Sequence, residues 1–214
     1  YLDYFKKMAL SNTEELYNYL NEEYRDKRFE NLENFQKYIE NNRDTIKTLT
    51  LQKYLLNSYE GYDEYVCTDE FENLYIFREY GPLDYEILLD TYTIPTEKFK
   101  ETYDKSGDQY KVAMNVDRWI QMINNRDYKT AYSYLDETFR NNNFGSEEAF
   151  EQYMRERYPS HYDFELGEST ETNGTYTQTI DLTDISGEDG AVIENTIIMQ
   201  LLDNYEFVMS FGVN

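Results

Sequence analysis

The chain has 214 residues, enough for one large domain or two small ones, and its 20 basic and 43 acidic side chains give a formal net charge of −23. A surface this acidic repels phosphate backbones and anionic lipid head groups, which argues against nucleic acid as a partner and against membrane attachment through a basic patch. The 24 Tyr, 12 Phe and 1 Trp argue against disorder and predict a folded core rich in aromatic rings.

In chain order, the first half begins with a predicted helix that Ser11 and Asn12 cap and that runs to about Tyr24. A second helix is predicted over 32–42. Turn signals then separate four predicted strands, which lie near 45–57, 62–68, 73–80 and 84–92. The single cysteine, Cys67, is expected to be a small buried strand residue, and a lone cysteine excludes an internal disulfide and a cysteine-based zinc site.

The second half follows a polar stretch over 96–107, which we interpret as a linker. A helix is predicted over 108–124, where apolar residues recur every three or four positions. Asp127 is the expected N-cap of a second helix that runs to about Phe139, and Ser146 is the expected N-cap of a third.

After the third helix the apolar period changes from 3.6 to 2, which predicts strands. Residues 162–166 alternate, and Asn173-Gly174 is typical of a tight hairpin. The residues of the next strand that are predicted to share one face are Tyr176, Gln178, Ile180 and Leu182. A polar loop over 187–190, a strand over 191–202 and a last strand over 205–213 complete the pattern.

An internal repeat organises the chain. A shift of 115 residues aligns 15–39 with 130–154 without a gap. The identical pairs are Tyr17/Tyr132, Tyr19/Tyr134, Leu20/Leu135, Glu22/Glu137, Arg25/Arg140, Phe29/Phe144, Glu33/Glu148, Phe35/Phe150 and Tyr38/Tyr153. Most of these positions are aromatic or apolar, as a shared core requires. The predicted organisation is a first domain over 1–95, a linker over 96–107 and a second domain over 108–214.

The same offset pairs Tyr4 with Trp119, so the first helix of the first copy lacks its opening turns. We therefore expect the natural protein to continue upstream of Tyr1 as helix. No run of 18 apolar residues occurs in the chain, so these residues are not predicted to insert into a membrane, and any anchor is expected upstream.

Three helices followed by a curved antiparallel sheet with an aromatic-filled cup resemble the nuclear transport factor 2-like fold, a cystatin-like α+β fold. The segments that carry the resemblance are 125–135 and 144–153, and 29–38 repeats the second of them. Such patterns are common in uncharacterised, membrane-anchored extracellular proteins of low-GC Gram-positive bacteria. The resemblance implies two tandem cone-shaped α+β modules, each with about three helices on about four strands, and an extracytoplasmic, membrane-anchored or secreted location.

No catalytic residue, cofactor or metal is predicted. Enzymes of this family place His, Asp or Tyr inside the cup, but His161, the single histidine, reads as a surface loop residue. Asp163 and Asp181 alternate outward from apolar neighbours and read as solvated. The acidic residues Asp181, Asp184, Glu188 and Asp189 cluster around one loop, and their spacing does not match an EF-hand.

The ligand-binding candidates are the residues that could line a cup in the second copy: Trp119, Tyr134, Phe139, Arg140 and Tyr176. The alternative is that the rings fill the core. Arg140 and its counterpart Arg25 are expected to pair with a carboxylate such as Glu137 or Glu22, or to stack on a ring.

The functional hypothesis is a noncatalytic extracytoplasmic binding or scaffolding module with a protein or cell-envelope partner. One alternative is a small-molecule binding protein or enzyme that uses the aromatic cup of the second domain. A second is a scaffold component of conjugative secretion, since tandem modules of this fold also occur there. A third is carbohydrate binding through a flat platform of exposed tyrosines.

Overall fold

The structure is a computed structural model that describes residues 1–185 and 191–213. The fold is α+β and contains two four-stranded antiparallel sheets with several helices. The chain divides into two compact units, Tyr1–Ile94 (unit 1) and Pro95–Asn214 (unit 2).

Unit 1 places five helices before a meander of four antiparallel strands in the order β1-β2-β3-β4. Its elements are α1 (Leu2–Ser11), α2 (Thr13–Tyr19), α3 (Glu22–Arg28), α4 (Leu32–Asn41), α5 (Arg43–Thr48), β1 (Lys53–Tyr59), β2 (Tyr62–Thr68), β3 (Leu74–Gly81) and β4 (Asp84–Leu88). Helix α1 packs against the sheet through Phe5, whose ring centroid lies 5.2 Å from that of Tyr75 on β3. Cys67 is buried in β2, as predicted.

Unit 2 has the same order of elements, and its sheet runs β5-β6-β7-β8. Its elements are α6 (Glu97–Lys105), α7 (Asp108–Asn124), α8 (Tyr128–Ser133), α9 (Glu137–Asn143), α10 (Glu147–Arg157), β5 (Tyr162–Thr172), β6 (Thr175–Asp184), β7 (Val192–Leu201) and β8 (Phe207–Phe211). The apolar face of α7 packs against β5 and β7.

Several local predictions for unit 2 are confirmed. The Asp127 side chain accepts a hydrogen bond from Thr130 N, and Ser146 accepts one from Ala149 N, so both residues are N-caps. Asn173-Gly174 forms the β5–β6 hairpin. The four residues predicted to share a face of β6 are all buried.

Each predicted helix that crosses the repeat is interrupted at the same point. Leu20 and Leu135 leave helical geometry and form parallel bridges with Ile87 and Met209, respectively, on the last strand of their units. The next residue in each unit caps a new helix, so the expected single helices to Tyr24 and to Phe139 are wrong. A long-range backbone contact overrides helix propensity here.

Two further predictions need correction. The strand expected over 45–57 begins only at Lys53, because residues Arg43–Thr48 form α5 and bury Ile46 in the core. The expected linker over 96–107 contains α6, which Thr96 caps through a hydrogen bond from Phe99 N. The β-branched residues within 45–57 favour a strand, which explains the first error. The polar composition of 96–107 is typical of a linker, which explains the second.

Candidate functional site

The predicted binding residues of unit 2 lie in an aromatic cluster centred on Phe211 of β8. Trp119 on α7 and Phe139 on α9 approach the Phe211 ring, with centroid distances of 5.2 and 5.3 Å. Three more rings lie within ring-contact distance of it, those of Phe144, Phe150 and Tyr153. Trp119 and Phe211 are buried. The aromatic side chains therefore fill the centre of unit 2.

Tyr134 belongs to a second, adjoining cluster. Its ring stacks on Phe207 with centroids 4.4 Å apart and an interplanar angle of 19°. Its hydroxyl accepts a hydrogen bond of 3.2 Å from Nη2 of Arg118. Burial raises the pKa of Tyr134 to about 12, although the charge of Arg118 opposes this rise. Tyr134 is therefore a neutral phenol that holds a buried cation in place.

Arg140 and Tyr176 lie outside the Phe211 cluster. The guanidinium of Arg140 lies 5.4 Å from the ring centroid of Tyr132, the stacking predicted from the sequence. Tyr176 donates a 3.0 Å hydrogen bond to Asp108, the first residue of α7. Trp119 is eleven residues further along α7, about 16 Å at 1.5 Å per residue. The five candidates thus do not converge on one position.

A buried charged residue of unit 2, Arg118 on α7, is not among the residues predicted from the sequence. Arg118 is 1% exposed, and it donates hydrogen bonds to the carbonyl oxygen of Tyr205 (2.6 Å) and to Oδ1 of Asn115 (3.2 Å). The burial of Asn115 could have been predicted from the sequence, because this residue lies three positions after Val112 and four before Trp119 on the apolar face of α7.

Rings from α6 and β8 enclose the Arg118 guanidinium. The ring centroids of Phe99 and Phe207 lie 5.3 and 5.5 Å from it. Tyr103 of α6 accepts a hydrogen bond of 3.1 Å from Nδ2 of Asn115, which is fully buried. Helix α6 is thus attached to unit 2 through rings and a polar network, not by sequence adjacency alone.

Unit 1 contains the counterpart of this second cluster. Tyr19, the repeat equivalent of Tyr134, stacks on Tyr85 with centroids 5.0 Å apart and an interplanar angle of 18°. Tyr85 precedes the bridge residue Ile87 by two positions, as Phe207 precedes Met209. The stacked pair is therefore repeated between the units.

In unit 1 the helix residue that contacts the stacked pair is a tyrosine, Tyr4, whereas in unit 2 it is Arg118. The ring of Tyr4 lies 5.9 Å from Tyr19 and 6.4 Å from Tyr85. Tyr4 thus occupies the place that Arg118 has in unit 2. The contacts of Tyr4 match those of Arg118, whereas the 115-residue offset pairs Tyr4 with Trp119.

We call the residues Tyr1, Tyr4, Tyr19 and Tyr85 of unit 1 the tyrosine surface. Tyr1 and Tyr4 are exposed, at 42% and 37%, and the other two are half-buried. The Tyr1 and Tyr85 rings are inclined at 59°, and the Tyr4 and Tyr85 rings at 82°. These tilted rings do not form a flat platform of the kind the carbohydrate hypothesis requires.

Unit 1 also contains a buried carboxylate, that of Asp90. This residue is 1% exposed and accepts hydrogen bonds from the Tyr24 hydroxyl (2.8 Å) and the Thr93 backbone (2.9 Å). Arg28 Nε lies 3.5 Å from the same carboxylate. Burial raises the pKa of Asp90, against the opposing effect of Arg28. Phe139 is the repeat counterpart of Tyr24, so the hydroxyl that binds Asp90 is not repeated.

The edge strand of the first sheet exposes apolar side chains. We call the residues Leu51, Tyr54, Leu55 and Leu56 the β1 edge; their exposed fractions lie between 46% and 65%. Strand β1 pairs with β2 without a bulge and has no charged residue after Lys53. An apolar, regular edge strand is a ready template for another strand.

The corresponding edge of unit 2 is protected. Strand β5 carries four acidic residues, and its pairing with β6 shifts register between Leu166 and Ser169. Charges and bulges on an edge strand prevent strand addition. The equivalent edge strands thus differ: β5 is protected against strand addition, and β1 is not.

Within 1–185 and 191–213, no group of His, Cys, Asp or Glu is arranged to hold a metal ion. Of the four acidic residues that cluster around the loop after β6, Glu188 and Asp189 lie outside the described residues. In the same ranges no helix has both the length and the apolar character needed to span a membrane.

No family model matches the sequence, and no curated protein or solved structure matches it.

Proposed function

We propose that the chain is a noncatalytic binding or scaffolding module of the cell envelope that holds its partners on its outer surface. The observation that carries the proposal is the packing around Phe211. Trp119, Phe139 and further rings fill the centre of unit 2, where a carrier or an enzyme of this fold would hold its ligand. Apolar side chains are instead exposed on unit 1.

The finer fold assignment is part of the proposal. Each unit is taken as a cone-shaped nuclear transport factor 2-like module, because helices precede a four-stranded meander and the same helix-to-strand bridge occurs in both. The extracytoplasmic, membrane-anchored or secreted location rests on the resemblance of 29–38 and 144–153 to anchored extracellular proteins.

The β1 edge is the proposed contact for a protein partner. An extended segment that pairs with β1 would gain main-chain hydrogen bonds, and Tyr54 and Leu56 would contact its side chains on one face of the sheet. Residues 54–59 carry no charge in a chain of net charge −23, so this strand lacks the acidic residues that protect β5.

The test uses one exposed leucine on each edge strand. Leu56 on β1 is 46% exposed and Leu166 on β5 is 43% exposed. The purified chain and its Leu56→Lys and Leu166→Lys variants are immobilised and exposed to cell-envelope proteins. We expect a partner that the parent chain and Leu166→Lys retain and that Leu56→Lys loses. A peptide from that partner should slow amide hydrogen exchange within Lys53–Tyr59.

Other results would redirect the proposal. Enzymatic turnover that a single side-chain replacement abolishes, or a small molecule that stays bound in native mass spectrometry, would contradict it and favour the carrier or enzyme alternative. A retained component of a secretion complex would identify the conjugative scaffold.

A further inference from the structure

We propose that the occupant of the β1 edge is a second copy of this chain, and that the two β1 strands pair antiparallel across a two-fold axis at Leu56. The inference rests on the proposed function, since it names the partner of the same edge. The two sheets of unit 1 would then form one continuous sheet.

The exposure of β1 follows from its place in the sheet. In unit 2, helix α6 packs on Tyr205 in the β7–β8 turn, and the strand order β5-β6-β7-β8 places that turn away from the β5 edge. A helix in the equivalent place of unit 1 would contact the β3–β4 turn, and β1 is the opposite edge of that sheet. Such a helix would therefore leave the β1 edge open.

Backbone hydrogen-bonding groups along β1 point outward at alternate residues. Tyr59 and Tyr62 are paired across the two-residue turn between β1 and β2, and such closing pairs are hydrogen bonded. The hydrogen-bonded pairs with β2 therefore fall at Tyr59 and at every second residue before it. The N–H and C=O groups of Tyr54, Leu56 and Ser58 thus point away from β2, toward an added strand.

The side chains of β1 favour an added strand that is apolar on both faces. Tyr54, Leu55 and Leu56 are consecutive, so they project to alternate faces of the sheet, and their exposed fractions are 65%, 56% and 46%. A strand that alternates apolar and polar residues matches only one of these faces. A second copy of β1 matches both. Leu56 lies opposite Leu56 on one face, and Leu55 lies diagonal to Leu55 of the other copy on the other face.

The two ends of β1 carry opposite charges. Lys53 begins the strand and Glu60 follows its last residue, and both side chains are exposed. In the antiparallel register Lys53 lies opposite Tyr59 of the other copy, so Glu60 of that copy lies beside it. The two-fold axis repeats this contact at the other end of the paired strands. Lys53 also lies 3.3 Å from Glu72 of its own chain, a pair that is exposed and therefore weak.

The net charge determines the conditions under which two copies associate. Each copy carries a formal charge of −23, so long-range repulsion opposes the dimer at low ionic strength. Salt screens this repulsion, which outweighs the attraction of the exposed Lys53–Glu60 pairs. The dimer is therefore expected to tighten as the salt concentration rises.

Sedimentation equilibrium of the parent chain tests the association. We expect a monomer–dimer equilibrium whose dissociation constant falls as NaCl is raised from about 0.05 to about 0.5 M. Amide hydrogen exchange within Lys53–Tyr59 should slow as the protein concentration rises, because the outward N–H groups of β1 become hydrogen bonded. Exchange within β5 should not change with concentration.

Two leucine variants locate the interface. Leu56→Lys places two lysines opposite each other at the two-fold axis, so the dissociation constant should rise at least about tenfold. Leu166→Lys, at the matched exposed leucine of β5, should leave it unchanged. Urea unfolding of the monomers checks that both substitutions preserve the fold.

Charge reversal tests the register. Glu60→Lys makes the chain less negative, so general repulsion alone would give a tighter dimer. The proposed pairing gives a weaker one, because Glu60→Lys brings two cations together at each end of the paired strands. The double variant Lys53→Glu/Glu60→Lys restores opposite charges at the parent's net charge and should recover the parent's dissociation constant.

Three results would overturn the inference: a chain that stays monomeric at every salt concentration, a dimer that Leu56→Lys leaves intact, and a dimer that Glu60→Lys tightens. If a monomeric chain still retains an envelope protein that Leu56→Lys loses, the proposed function stands without the second copy. If the dimer forms as expected and no envelope protein is retained, the second copy stands and the proposed envelope partner fails.

Discussion

At the scale of single residues, the two units show how one backbone position accepts different side chains. Glu30 and Gly145 each follow a short helix and have φ values of 63° and 74°. Each backbone N–H donates to the carbonyl oxygen five residues earlier, Arg25 at 3.2 Å and Arg140 at 3.0 Å. Left-handed backbone costs a residue with a side chain about 1–2 kcal/mol relative to glycine.

The first prediction exchanges these two residue types. Glu30→Gly should raise the free energy of unfolding by up to about 1 kcal/mol, because the relieved strain exceeds the extra entropy of an unfolded glycine. Gly145→Ala should lower it by about 1 kcal/mol through the backbone alone, since an added Cβ meets no atom within 4 Å. Urea unfolding measures both. A gain from Gly145→Ala would contradict the assignment of strain.

The second prediction concerns Asp90. Burial raises its pKa, so the folded chain keeps this proton to a higher pH than the unfolded chain does. Unfolding therefore releases a proton, and the free energy of unfolding falls as the pH rises from about 4 through the folded pKa.

Asp90→Asn removes this titration. Near neutral pH two effects oppose each other in the variant: Arg28 and Tyr24 lose a carboxylate partner, and the free-energy cost of burying the charge disappears. The stability of the variant should fall less between pH 4.5 and 7 than that of the parent. Urea unfolding at several pH values measures this slope, and the exposed Asp84→Asn is the control. Equal slopes in parent and Asp90→Asn would refute a raised pKa for the Asp90 carboxyl.

At the scale of secondary-structure elements, α6 shows how a short polar helix is held. Its residues are mostly charged, and the sequence alone favours a linker. Tyr103 contributes a buried hydroxyl that accepts from Asn115, and the rings of Phe99 and Tyr205 complete the contact. Tertiary contacts stabilise a nine-residue helix that would be marginal alone.

The third prediction tests this attachment. Tyr103→Phe keeps the ring but leaves the fully buried Asn115 without its hydroxyl acceptor, so stability should fall by about 1–2 kcal/mol. Amide exchange in α6 should become faster. Tyr110→Phe, at a 58% exposed tyrosine, is the matched control and should change neither quantity. Unchanged exchange in Tyr103→Phe would show that the rings alone hold α6.

At the scale of the whole molecule, the two units share the same order of helices and strands but expose different side chains. Unit 2 covers its stacked rings with α6 and protects its edge strand with acidic residues and a bulge. Unit 1 exposes apolar side chains on the β1 edge. The two units thus differ in the chemistry of their exposed edge strands.

The net charge of −23 acts at the same scale. It keeps the chain soluble and opposes self-association through long-range repulsion. The exposed apolar side chains therefore carry a lower risk of aggregation. The proposed contact at the β1 edge includes the exposed leucines Leu51, Leu55 and Leu56.

The sequence by itself determined the local features. The repeat, the caps Asp127 and Ser146, the Asn173-Gly174 hairpin and the alternation of β6 depend on short-range hydrogen bonds and periodicity, which residue types specify directly. Of the rings predicted either to line a cup or to fill the core, Trp119 and Tyr176 are buried.

Only the tertiary structure decided where those features meet. The helix breaks at Leu20 and Leu135 arise from bridges to strands more than 60 residues away. The burial of Arg118 and the convergence of rings on Phe211 required partners from distant elements. Long-range contacts outweigh local propensity at such positions, because burial and backbone pairing contribute more free energy than the differences in propensity among residue types.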